Sequence, residues 1–117
     1  MFFLTQTHQD RFNALIQRDR TVTSDVECRA MFFIFSGVDD LYAKVNHLYD
    51  FDDHLFMPET LEENTVDLTR AMRALVKVAY NLYNGYPADV RATFEPLDAI
   101  NKRLVTEALR IRFHMEG

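Results

Sequence analysis

The chain has 117 residues, 48% of them hydrophobic, with ten Phe and five Tyr but only three Gly and three Pro. That composition argues against disorder and against a many-stranded sandwich or barrel, which needs frequent turns. The net charge of −5 is local, because residues 39–67 carry nine acids against Lys44 alone and the rest of the chain is mildly basic; such a surface suits no direct contact with nucleic acid.

Thr7 is the expected N-cap of a first helix, with Phe12, Leu15 and Ile16 on one face. Ser24-Asp25-Val26-Glu27 reads as a capping box for a second, whose stripe is Cys28, Met31, Phe32 and Phe35, and Gly37 is its stop. A third helix is expected from Val38 or Asp39, with Leu41, Val45, Leu48 and Tyr49 inward. Residues 50–64 lose periodicity, contain Pro58 and most of the acids, and read as an irregular acidic segment with room for one helical turn. The clearest element runs from Val66 to Asn84, capped by Asn84-Gly85, with Leu68, Met72, Leu75, Val76, Ala79, Leu82 and Tyr83 at helical spacing. A short segment follows from Pro87. The last helix is expected near Pro96, with Leu97, Ile100, Leu104, Ala108 and Ile111 inward. The expected fold is therefore all-α, one domain over residues 1–117, a compact bundle of five to six helices.

The lone Cys28 excludes an internal disulfide. The N-terminus has no basic export signal, and no apolar run is long enough to span a membrane. A cytoplasmic protein is the resulting expectation.

No phosphate loop, dinucleotide turn, zinc-protease helix or nucleophile elbow is present, so the expectation is a protein without enzymatic activity. A small hydrolase or nuclease is the minority alternative. The sharpest local chemistry is His47-Leu48-Tyr49-Asp50-Phe51-Asp52-Asp53-His54. On a continuous helix His47, Asp50 and His54 share a face, and imidazole with carboxylate suits zinc. His8 is the candidate further ligand, with Cys28 behind it; at helical rise His47 and His54 stand roughly 10 Å apart, so Asp50 or a chain break must bridge them. The same residues also read as a plain solvated face. Cys28 on an inward stripe reads as a small buried hydrophobe, and Arg70, Arg73 and Lys77 as the solvent face of the long helix.

The acids of the irregular segment form a second candidate site. Asp50, Asp52, Asp53, Glu59, Glu62 and Glu63, mixed with Phe51, Leu55, Phe56 and Met57, suit a basic groove on a protein partner. There the carboxylates steer, and an aromatic such as Phe56 anchors. Five Met and the wide apolar sector of the long helix leave a homodimer open.

Arg11-Phe12-Asn13-Ala14-Leu15, the stretch from Phe32 to Tyr42, Tyr49-Asp50-Phe51 and the stretch from Asn81 to Tyr86 together resemble a family of small uncharacterised proteins from Firmicutes and their phages or mobile elements. In size, charge and setting the chain is similar to the short acidic helical inhibitors of type II CRISPR effectors. That resemblance implies an anti-CRISPR role, with Cas9 or a similar basic nucleic-acid-handling enzyme as partner and nucleic-acid loading as the blocked step. It assigns no residue. The alternative is a small zinc-binding interaction domain.

Overall fold

In the computed structural model, which describes residues 1–115, seven α-helices surround one continuous apolar core. They are α1 (Gln6–Asp19), α2 (Val26–Ser36), α3 (Asp39–Ala43), α4 (Glu59–Glu62), α5 (Arg70–Asn84), α6 (Val90–Phe94) and α7 (Ala99–Phe113). The all-α expectation holds, with one addition: a hairpin of two-residue antiparallel strands, β1 (Tyr49–Asp50) and β2 (Leu55–Phe56), paired Tyr49 to Phe56 and Asp50 to Leu55. No helix among the described residues is long and apolar enough to cross a membrane.

The hub is α2. Ala30 through Ser36 are all buried, so this helix has no solvent face over its last two turns. The stripe of Cys28, Met31, Phe32 and Phe35 is only part of its burial, because Phe33 and Ile34 are fully enclosed as well. A helix apolar all round needs neighbours on every side, and α1, α5 and α7 supply them. Full burial of a Phe, Met or Ile side chain contributes about 1.5–3 kcal/mol, so this segment dominates the core. The apolar sector of α5 is likewise covered inside the chain, with Leu75, Val76, Ala79 and Tyr80 fully buried.

Helix starts differ from expectation by one to four residues, and the caps explain why. Thr5, not Thr7, accepts from the His8 amide and starts α1. Asp25, one residue beyond Ser24, accepts from the Cys28 amide and starts α2. Thr69 and Asp98 cap α5 and α7 in the same way. At the other end of α5 Gly85 adopts φ +84°, the expected left-handed stop. In α7 Leu104 and Ala108 face inward as expected, whereas Ile100 is exposed.

The third helix is much shorter than its periodicity implies. It ends at Ala43, passes through one 3-10 turn at Val45–His47, and gives way to the hairpin. Tyr80 on α5 imposes that change. Its buried hydroxyl lies against two carbonyls, Leu48 at 2.7 Å and Met57 at 3.1 Å, while the Met57 amide donates to the Leu48 carbonyl. A phenol fixed at that point holds both strands of the hairpin neck, which a straight helix through Leu48 could not offer. Leu48 and Tyr49 are still buried, so the apolar positions were legible and the backbone between them was not.

Candidate functional site

The hairpin turn brings together groups far apart in the chain. Asp19, the last residue of α1, is buried, with its side chain 6% exposed. A carboxylate there faces the negative end of the helix dipole, so its charge must be balanced by other groups. Four donors meet it. Thr21 Oγ1 reaches Oδ2 at 2.5 Å and Cys28 Sγ reaches the same oxygen at 3.5 Å; Tyr49 OH and His54 Nδ1 reach Oδ1 at 2.8 and 2.7 Å. Burial pushes the carboxyl upward, but the hydrogen bonds from Thr21, His54, Tyr49 and Cys28 outweigh it, and Asp19 titrates below the ordinary carboxylate range. The Cys28 thiol and the Tyr49 hydroxyl are pushed far upward, first by burial, with the Asp19 charge acting in the same direction, so both stay protonated. Cys28 is thus a donor to a buried anion and no thiolate nucleophile.

Local backbone prepares this arrangement. After α1 the chain closes with Arg20 at φ +60°, the Arg20 amide on the Gln17 carbonyl and the Thr21 amide on the Ile16 carbonyl. This motif turns the chain so that Thr21 faces Asp19. His54 also lies in the left-handed region, at φ +56°, as the last residue of the hairpin turn. For a side chain other than Gly or Asn that conformation costs about 1 kcal/mol. The imidazole is half exposed, at 55%, and lines a cavity of about 390 Å³ with Arg20, Asp25, Cys28, Tyr49 and Tyr83.

The candidate metal ligands do not converge. Among the described residues no group of three or more His, Cys, Asp and Glu is placed to hold an ion. The continuous helix that would align His47, Asp50 and His54 is replaced by the 3-10 turn and the hairpin. His8 is buried, and both ring nitrogens are used: Nδ1 accepts from the Leu4 amide at 3.1 Å and Nε2–H donates to the Phe33 carbonyl at 2.9 Å. It has no nitrogen left for a metal. Burial lowers its pKa, against a smaller upward pull from the Phe33 carbonyl, so it is a neutral core histidine. His47 is exposed, with its carbonyl accepting from the Thr60 hydroxyl. Asp50 accepts from the amides of Asp52 and Asp53 and shapes the turn. His54 is committed through Nδ1 to Asp19.

The acidic segment splits into two sorts of residue. Asp52, Asp53, Glu59, Glu62 and Glu63 are exposed, on the hairpin turn and around α4, and Asp50 is half-buried beside them. The aromatics turn inward. Phe56 is half-buried with its ring near those of Tyr80, Tyr83 and Tyr86, and Phe51 stacks on Phe32 at 5.8 Å beneath the Arg18 guanidinium. Leu55 is the exposed apolar side chain of the segment, at 57%. Arg73 of the basic stripe bonds the Leu61 carbonyl and Asn64, so it ties α4 to α5.

The fold and these two sites describe a small helical protein with an acidic face beside a buried Asp19 paired with a half-exposed His54. The chain belongs to DUF6075, a family of unknown function, whose profile matches residues 1–116. No curated protein and no solved structure matches it.

Proposed function

We propose that the chain is a binding protein whose acidic face, formed by the hairpin turn and α4, docks on a basic surface of a protein partner. The supporting observation is the clustering of unpaired acids. Elsewhere Asp39 pairs with Arg11, Asp40 with Lys44, Glu27 with Arg112, Glu95 with Arg91 and Glu107 with Arg110, and the unpaired Asp25, Asp89 and Asp98 are spread along the chain as helix caps. Among the described residues, Asp50, Asp52, Asp53, Glu59, Glu62 and Glu63 pair with no Lys or Arg, and Glu62 receives only the Tyr86 hydroxyl. Uncompensated like charges held on short, well-anchored elements repel each other in the free protein, and a cationic partner relieves that repulsion. Since Phe51 and Phe56 are engaged internally, the charges and Leu55 rather than the aromatics make the contact.

A nucleic-acid-handling enzyme fits this chemistry, because its channel is already lined with Lys and Arg. Cas9 is the concrete candidate, in keeping with the resemblance to short acidic inhibitors of type II CRISPR effectors, and competition with its nucleic acid is the mode of action. Binding of purified chain to Cas9 is measured at low and moderate salt, beside a chain carrying Asp52→Lys, Asp53→Lys, Glu59→Lys and Glu63→Lys. Affinity falls with salt, and the reversals weaken it by at least about 100-fold. Binding untouched by the reversals removes the acidic face from the interface. Absence of binding removes Cas9 as the partner.

A further inference from the structure

The Asp19–His54 contact lends itself to a plain structural role, fastening the hairpin to the end of α1. Three observations go beyond that. The imidazole donates through Nδ1–H to a carboxylate, so the fastening occupies one ring nitrogen and leaves the other over. That other nitrogen, Nε2, has no partner among the described residues and belongs to a half-exposed ring that lines the 390 Å³ cavity. Finally, a fastener alone is better served by Asn, the side chain other than Gly that most readily adopts positive φ, whose amide also donates to a carboxylate. Histidine accepts the backbone cost of φ +56° and adds only a second, titratable nitrogen.

We propose that Asp19 and His54 form a general acid–base pair, with His54 Nε2 exchanging a proton with a small molecule seated in this cavity. The role is independent of the acidic face. A proton passes from an O–H or N–H of the ligand, or from a water beside it, to the Nε2 lone pair. The electron pair of the broken bond stays on the ligand or water atom, and Nε2 later returns the proton. Asp19 remains an anion throughout and acts as a positioning residue: it selects the tautomer with Nδ1 protonated and balances the imidazolium. The cavity wall carries Asp19 and Asp25 against Arg20 alone, which favours an uncharged ligand such as a small ester over an anion. Cys28 and Tyr49, both held protonated, hold the carboxylate and take no part in the transfer.

The test uses 4-nitrophenyl acetate as a probe. Water attacks the acyl carbon as Nε2 takes its proton, the acyl–oxygen bond breaks, and 4-nitrophenol leaves with the returned proton. His54→Asn, which keeps the backbone conformation and an amide donor to Asp19, lowers the rate at least about tenfold while its melting temperature stays close to that of the native chain. Asp19→Asn lowers kcat while KM for the ester stays within about twofold, a split that lost packing does not produce. In a second measurement diethyl pyrocarbonate modifies His54 several-fold faster than the exposed His47 and His114, and Asp19→Asn erases the difference. Equal hydrolysis by native and His54→Asn chains, or His54 reacting no faster than His47, overturns the proposal.

Discussion

Asp19 gathers four side-chain donors on one buried carboxylate. Replacing it by Ala leaves the Tyr49, Thr21 and His54 donors without their acceptor, the Tyr49 hydroxyl among them buried. Such losses cost about 2–4 kcal/mol, read as a lower urea midpoint with an unchanged slope. Two groups set the response to acid. His8 titrates lower in the folded chain than its ordinary value of 6.5, so its unfolded form takes up the proton first; stability is full above that pH and declines as pH falls below it. Asp19, also lowered, contributes stability that is present above its ordinary 3.8 and lost as pH falls further. A urea midpoint followed from pH 8 to pH 2.5 therefore falls in two stages, and Asp19→Asn removes the lower one. Half of this centre was visible beforehand. His54 stands out in the sequence as a candidate ligand, whereas no periodicity or motif singles out Asp19. The one available signal was electrostatic, an acid in the last turn of a helix, where a cation is the favoured residue.

At the scale of elements, legibility followed length. Periodicity located α5 and α7 because fifteen residues sample four turns of one face. The hairpin has two residues per strand, too few for any alternation to register, and its neck is set by Tyr80 of a helix that comes later in the chain. Caps moved starts without moving faces. Thr69→Ala and Asp98→Ala each cost about 1 kcal/mol, measurable by thermal unfolding. The glycines differ in kind. Gly85→Ala places a side chain at positive φ in open space and costs about 1 kcal/mol. At Gly37 an added Cβ stands 2.5 Å from Leu104 Cδ1 and 3.2 Å from His8 Nε2, so Gly37→Ala strains α7 and the N-terminus together, by about 1–3 kcal/mol.

For the molecule as a whole, architecture and charge separate cleanly. The apolar core joins α1, α2, α5 and α7, while a cluster of unpaired acids sits on the hairpin turn and around α4 at its edge. Charge reversal on that edge therefore leaves the melting temperature unchanged or raises it slightly by relieving repulsion, whereas Phe35→Ala within α2 lowers stability by about 3–5 kcal/mol. Calorimetry of the two variants checks both halves of that statement.

The enclosure of α2 also has a consequence for biosynthesis. This helix leaves the ribosome with apolar side chains on every face of its last two turns before α5 and α7, which cover it, are made. Until they arrive, Met31 through Phe35 have no lasting shelter, and nascent chains of that length are those that chaperones hold and that aggregate when crowded. A chain ended before α7 is accordingly expected in the insoluble fraction.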